Sequence, residues 1–269
     1  MARPRISACV IVKNEECNIR ECLESLRWTD EIVVVDSGST DKTLDIAREF
    51  TDKVFFKEWE GHIQQKNFAL ECASCEWAIS LDADERVTPE LREEILRELS
   101  VEPLAYDGFE FKRKVFYLGR WIRHSGWYPD YKLRVVRRAV ARWQGVNPHD
   151  HLTVKGPTKR LRGEILHYSY RSLSDHLRTI DSFTTIAAQE KLKSGEGLTL
   201  LKMLFHPPGK FVRTYFLKLG FLDGLPGLVI AVLGSYYVFL KYAKLIELRR
   251  SLGDGAVTAS CSVGADRGT

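Results

Sequence analysis

The sequence predicts an α/β fold: a mixed, mainly parallel sheet with flanking helices, followed by a helical C-terminal extension. Three observations predict it. Over the first hundred residues short apolar runs alternate with segments of helical spacing, and repeated βα units imply a parallel sheet with right-handed crossovers. Beyond Asp107 that rhythm gives way to successive strand patterns, with no clear helix until Ser174. Near the C-terminus, residues 224–240 form an uncharged apolar run.

The elements follow in order. Ile6–Val12 reads as a buried strand, and residues 18–26 carry Ile19, Cys22, Leu23 and Leu26 at helical spacing. Residues 31–35 are a β-branched run of the kind buried on both faces of a parallel sheet. Ser39-Thr-Asp41 can cap a helix over 42–50. A short strand, Val54–Phe56, a helix over 63–72 and a buried strand over 77–81 come next. Thr88 then supplies an N-cap, with Pro89 at the first helical position. Residues 108–118 and 131–137 alternate as strands, and 172–193 show helical spacing that stops at Gly195. The small, polar stretch 251–269 is expected to be disordered.

At 269 residues, 44% hydrophobic and 28% charged, the composition excludes a disordered chain and a coiled coil. The net charge of +4 hides an uneven distribution. Residues 1–109 carry 13 Lys/Arg against 24 Asp/Glu, residues 110–178 carry 16 against 5, and the rest 11 against 7. Such asymmetry suggests two surfaces with different partners. A nucleic-acid partner is not expected, because no recognition motif is present and the acidic part would repel a phosphate backbone. The six cysteines lack the density of a secreted scaffold, and Cys72-Ala-Ser-Cys75 has no second pair at zinc spacing, so reduced thiols are expected. The apolar N-terminal run is too short for a signal peptide, so the chain is expected to stay in the cytoplasm.

Acidic residues recur where the predicted strands end: Glu15 and Glu16 after the first, Asp36 after the second, and Asp82-Ala-Asp84-Glu85 after the run ending at Leu81. Open α/β sheets bind ligands at these carboxyl ends. On an extended backbone Asp82 and Asp84 point the same way. Hard oxygen donors of this kind suit Mg²⁺ or Mn²⁺ shared with a substrate diphosphate. Taken alone, an Asp-x-Asp triplet is commonly a solvated loop, and Asp36 can simply cap the helix after it.

The ordered motifs Ile6-Ser-Ala-Cys-Val-Ile-Val-Lys-Asn-Glu-Glu16, Ile32-Val-Val-Val-Asp-Ser-Gly-Ser-Thr-Asp41, Gln65-Lys-Asn-Phe-Ala69 and Leu81-Asp-Ala-Asp-Glu85 resemble those of the family 2 inverting glycosyltransferases with the Rossmann-like GT-A fold. Later segments, among them Trp127-Tyr-Pro-Asp130, His149-Asp150, His167-Tyr-Ser-Tyr170 and Gly220-Phe-Leu-Asp-Gly224, resemble the lipopolysaccharide core β-glucosyltransferases. The resemblance implies transfer of a hexose, glucose first, from a UDP-sugar to an anionic glycolipid such as the lipopolysaccharide inner core. It implies that Asp36 binds the uracil-ribose part, with Glu15 and Lys66 nearby. Asp82 would contact ribose or metal, Asp84 would be the ligand of Mg²⁺ or Mn²⁺, and Arg134 would meet diphosphate or an acceptor phosphate. An inverting transfer needs a carboxylate base; Asp150 is the best match and Asp130 the alternative. Rival acceptors are polyprenyl-linked, capsule or peptide groups, and a non-catalytic sugar-nucleotide-binding scaffold is the rival from another class.

Departures from the family pattern qualify this. Asp150 stands where the family has Glu, and Lys13 where an aromatic stacks on uracil. The Gln-x-x-Arg-Trp motif of the processive synthases is absent, which favours single-sugar transfer. His124, Trp121 and Trp127 lie in a basic aromatic stretch, 112–142, fit either to stack a sugar or to be core with a solvated basic face. His149 is a candidate for shaping the acceptor site, and His167 is as readily a structural histidine.

The expected organisation is a nucleotide-sugar-binding half over 1–108, an acceptor-binding half over 109–200, membrane-associated helices over 201–250 and the tail over 251–269. The uncharged 17-residue run is short of the ~20 residues that cross a bilayer, and basic residues flank it on both sides. That pattern suits peripheral or monotopic attachment to the cytoplasmic face of the inner membrane, although a pair of core helices would read the same way.

Overall fold

The computed structural model describes residues 3–101, 103–146, 149–195 and 199–262. The chain divides into two compact units, one made of Met1–Trp121 and Trp127–Ser169, the other of Ile122–Gly126 and Tyr170–Thr269.

Unit one opens with the expected alternation: β1 (Ile6–Val12), α1 (Ile19–Glu24), β2 (Glu31–Asp36), α2 (Thr43–Arg48), β3 (Val54–Phe56), α3 (His62–Cys72) and β4 (Trp77–Asp82). Then follow β5 (Glu85–Val87), α4 (Pro89–Leu99), β6 (Gly108–Tyr117), β7 (Arg120–Trp121), β8 (Asp130–Arg137), β9 (Arg142–Val146), β10 (His149–Thr153) and β11 (Thr158–His167). The main sheet runs β3-β2-β1-β4-β8-β6-β11-β5, with β7 on the side of β6 and β9-β10 a separate ribbon. Its β3-β2-β1-β4 half is parallel, and β8 enters antiparallel between β4 and β6.

Strand alternation sends the two faces of β1 to different cores. Ile6, Ala8, Val10 and Val12 join Ile19, Leu23, Leu91 and Ile95 from α1 and α4. Cys9 faces the other way, with Ala69 and Leu70 of α3 and with Trp143. The Thr88 hydroxyl accepts from the Leu91 amide at 3.2 Å, the predicted cap of α4. The predicted boundary near 108 coincides with the start of β6, inside unit one.

One feature of the topology governs the site. Strands β4 and β5 are separated by only Ala83 and Asp84, yet β5 pairs with β11 at the far end of the sheet order. A link that short reaches roughly 10 Å. The sheet must therefore curl until the β11–β5 edge returns to the carboxyl end of β4. The backbone turns at residues 83–84 rather than staying extended, so Asp82 and Asp84 take different partners. The expectation that both point the same way is corrected accordingly.

Unit two contains α5 (Leu173–Lys193), α6 (Thr199–Val212) and α7 (Gly224–Ser262). A π-helical turn, Arg213–Leu217, and a 3₁₀ turn, Gly220–Asp223, connect α6 to α7. Ser172 caps α5, accepting from the Asp175 amide at 3.1 Å, and Gly195 follows with φ of +68°. Ala188, Tyr242 and Leu245 form its buried core with Leu192, Met203, Val238 and Leu248. The segment Gly220–Leu252 is long and apolar enough to cross a membrane by length and composition. Of the stretch expected to be disordered, residues up to Ser262 are helical and 263–269 lie outside the described residues.

Candidate active site

The carboxyl ends of β1, β2 and β4 bring the predicted acidic residues to one edge. Asp36 lies beside Val12 and Asp82 beside Ile11 in the sheet register, on opposite sides of β1. Two strand spacings separate them by about 10 Å. The buried Asp36 carboxylate accepts from the backbone N–H of Gly38 and Ser39, at 2.9 and 3.1 Å. It thereby shapes the loop after β2, and Gly38 takes the φ of +89° that this turn requires.

The loops after β1 and β2 are laced together. The Asn14 amide donates to Ser39 Oγ, and Asn14 Oδ1 accepts from the Thr40 amide. The Glu15 amide donates to Thr43 Oγ1 at 2.7 Å, while the Glu15 carboxylate accepts from Asn18 at 2.8 Å. Sequence reasoning missed this lacing, although runs of Asn, Ser, Thr and Asp are its usual signal.

A chain of alternating charges crosses the middle of the site. Lys66 Nζ, almost fully buried, lies 2.9 Å from Asp150 Oδ2 and 3.0 Å from Asp82 Oδ1. Arg134 Nη2 lies 3.3 Å from Asp82 Oδ2 and 3.1 Å from Glu85 Oε1. Arg113 continues from Glu85, at 3.4 Å, to Asp130, at 2.9 Å, and Lys132 lies 3.1 Å from Asp130. The Trp143 ring sits under both cations, 4.4 Å from Lys66 Nζ and 5.1 Å from the Arg134 guanidinium carbon. Asn67 holds that tryptophan by exchanging hydrogen bonds with its backbone N–H and C=O.

Burial pushes the Asp82 carboxyl up, but Lys66 and then Arg134 outweigh it and hold it far below the usual carboxylate range. Glu85, fully buried, is likewise raised by burial and lowered further by Arg134, ending below its ordinary value. Burial lowers the Arg134 guanidinium value, and the charges of Glu85 and Asp82 more than restore it. Asp82, Glu85 and Arg134 are therefore ionised at neutral pH. Both base candidates belong to the chain of charges, Asp150 at one end and Asp130 near the other. Arg134 is buried and meets both carboxylates through Nη2, while its buried Nε has no hydrogen-bond partner among the described residues.

Asp84 lies outside this chain. Its Oδ2 is 3.1 Å from His167 Nε2, and its carbonyl accepts from the Tyr168 amide at 2.9 Å. Register explains the meeting: His167 pairs with Glu85 across β11 and β5, one residue from Asp84. The buried His167 Nδ1 has no hydrogen-bond partner among the described residues. A carboxylate beside an imidazole suits a divalent cation, whereas Asp82 is already neutralised by Lys66 and Arg134. Among the described residues no group of three or more His, Cys, Asp or Glu gathers as a metal cage. The donor set fits an ion that shares its coordination with substrate oxygens and water, as Mg²⁺ commonly does.

Sequence reasoning named Glu85 among the acidic strand ends without giving it a role, and it missed Arg113 and Trp143. Trp121 packs with Phe116 and Tyr168 at centroid distances of 5.1 and 5.4 Å, and Trp127 packs on Tyr117. His124 belongs instead to unit two, where its Nδ1 is 3.2 Å from Asp223 Oδ1.

The chain is similar to several known proteins. The profile of glycosyl transferase family 2 matches residues 7–152. The chain is 32% identical over 249 residues to the lipopolysaccharide core biosynthesis glycosyltransferase LpsC of Rhizobium meliloti, covering 90% of this chain and 92% of that one. It is 28% identical to the Rickettsia typhi glycosyltransferase RT0209, covering 91% and 87%. The crystal structure of S. aureus TarS 1–349 in complex with UDP-GlcNAc overlaps it with a TM-score of 0.48 at 16% identity, over 93% of this chain and 92% of that one. A curled, mixed sheet carrying these acidic strand ends is the GT-A fold, and the chain belongs to glycosyl transferase family 2.

Proposed function

We propose that the protein transfers one hexose, glucose first, from a UDP-sugar to a hydroxyl of an anionic glycolipid of the lipopolysaccharide core, with inversion. The observation that carries the reading is Lys66, whose single ammonium joins Asp82, at the donor edge of the sheet, to Asp150. The likeness to LpsC supports the acceptor class.

Asp36 and the laced loops around Glu15 would receive the nucleoside. Asp84 and His167 would hold Mg²⁺ or Mn²⁺. When bound, such an ion neutralises charge on the departing nucleoside diphosphate. Asp150 would take the proton of the acceptor hydroxyl as its oxygen bonds to the anomeric carbon and the bond from that carbon to the diphosphate breaks. Asp150 is preferred over Asp130 because, among the described residues, its ion-pair partner is Lys66, whereas both Arg113 and Lys132 hold Asp130. Taking a proton therefore disturbs fewer ion pairs at Asp150 than at Asp130. The membrane surface, on its cytoplasmic side, would present the acceptor.

The test is UDP release from UDP-glucose with Mg²⁺ or Mn²⁺, with and without a heptose-terminated core oligosaccharide, in wild type and Asp84→Asn. Acceptor-stimulated release that depends on Asp84 is the expected result. Release indifferent to acceptor and to Asp84 would sink the proposal.

A further inference from the structure

We infer that the connection between α6 and α7 is a wedge that enters one leaflet of an anionic bilayer without crossing it. The inference extends the membrane part of the proposed function and rests on that part alone.

The wedge is apolar where a soluble protein would be polar. Phe216, Leu217, Leu219, Phe221, Leu222 and Leu225 are each 45–73% exposed at the turn joining two helices. Such a contiguous exposed patch marks an interaction surface. It is also rigidly built. Leu219 has φ of +53° and Gly224 of +65°, and the 3₁₀ turn between them presses on α7. A Cβ on Gly227 would meet the Gly220 carbonyl oxygen at 1.9 Å, and one on Gly220 would meet the Thr214 oxygen at 2.7 Å. The buried Asp223 carboxylate accepts from the amides of Arg123 and His124 and from Ser125 Oγ, at 2.9–3.1 Å. The exposed side chains are thus displayed on a fixed knuckle.

Charge selects the occupant. Between residues 197 and 246 the sole acidic residue is that buried Asp223, against six Lys or Arg. Lys210, Arg213 and Lys218 are exposed beside the apolar knuckle. An apolar tip ringed by cations matches lipid tails beneath anionic headgroups.

The far half of α7 argues against a span. Lys244 Nζ lies 2.7 Å from Asp181 Oδ1 and donates to the Asp181 carbonyl and Thr185 Oγ1 of α5. Helix α5 also carries exposed Arg178, Glu190 and Lys193. A helix ion-paired to such a neighbour belongs in water. That leaves residues 224–240, about 25 Å of helix, against the ~30 Å hydrocarbon core.

The experiment uses the full chain and vesicles of phosphatidylcholine with or without phosphatidylglycerol. Co-sedimentation should be at least tenfold stronger with phosphatidylglycerol and fall at high salt. Leu217→Glu with Phe221→Glu should abolish it, and Arg213→Glu with Lys218→Glu should weaken it at least tenfold. Circular dichroism and UDP binding should be unchanged in both variants. Tags at the two chain ends of vesicle-bound protein should both be open to added protease. Equal binding to neutral vesicles, binding indifferent to both variants, or tags protected on opposite sides would overturn the wedge. Transfer to the delipidated core oligosaccharide reads the proposed function separately.

Discussion

Asp150 and Asp130 differ in what each must give up to accept a proton. Among the described residues, Asp150 loses one ion pair, with Lys66, and Asp130 loses two, with Arg113 and Lys132. Removing a general base lowers the rate by roughly 10²–10⁴-fold. Asp150→Asn is therefore expected to cut kcat by about that factor with little change in KM for the UDP-sugar, while Asp130→Asn costs less than roughly tenfold. Initial rates for both variants check this, and an inverted ranking would transfer the role to Asp130. Glu31 is a second residue whose charge matters. Burial raises its carboxyl, but hydrogen bonds from Lys53, Ser7 and Ser74 outweigh that and bring it from 4.5 down to about 2. Because the folded value lies below the unfolded one, its contribution is fully present above about pH 5 and drains away as pH falls towards 2. By the free energy of the shift it is worth about 3 kcal/mol. Urea midpoints should show Glu31→Gln less stable than wild type by about that amount at pH 7, with the gap narrowing below about pH 5 and closing only towards about pH 2. A gap constant with pH would assign the difference to shape rather than charge.

Helix α4 and strand β11 approach so closely that their contact has no room for a methyl group. A Cβ on Gly163 would meet Leu91 Cα at 2.6 Å and Leu91 Cβ at 2.7 Å. Overpacking of this kind costs about 1–3 kcal/mol, so Gly163→Ala should lower the urea midpoint without changing the slope. An unchanged midpoint would mean that α4 can slide. The same strand shows why legibility differed among elements. The first seven elements and the cap at Thr88 were readable because their signals are local: buried β-branched runs, helical spacing, and Thr before Pro. Strand β11 was not, since Thr158–His167 is rich in Lys, Arg and Glu and buries only Leu161 and Ile165 of its hydrophobic side chains. Asp82 and Asp84 stood out as carboxylates after a strand, but their divergence depends on the curl of a sheet closed eighty residues later. Glu85, Arg113 and His167 acquire their roles from that same distant pairing, to which no local pattern points.

At the scale of the molecule, the chain leaves unit one after Trp121, contributes Ile122–Gly126 to unit two, and returns. The Ser125 amide donates to the Lys218 carbonyl at 2.9 Å, and Asp223 ties Arg123, His124 and Ser125 by backbone and side-chain hydrogen bonds. Asp223→Ala leaves those donors unsatisfied, at about 1–3 kcal/mol. Tryptic cleavage after Arg123 should then accelerate roughly tenfold or more, in line with the population of the opened segment. Cleavage at the wild-type rate would mean that the segment is held by other contacts.

The position of β8 in the sheet has a consequence for synthesis. When the ribosome has made the first hundred or so residues, β4 has one finished edge and one bare edge, and Phe109, Val135 and Val136, which pack on its faces, are still to come. The strand that covers the bare edge ends at Arg137, and the cations that neutralise Asp82 and Glu85 are Lys66 and two arginines, at 113 and 134, not yet translated. A nascent chain paused there carries an open, sticky strand beside unmatched buried carboxylates. Stable folding therefore waits for the sheet to close at His167, so a ribosome-bound fragment ending near residue 109 is expected to engage chaperones rather than bind nucleotide.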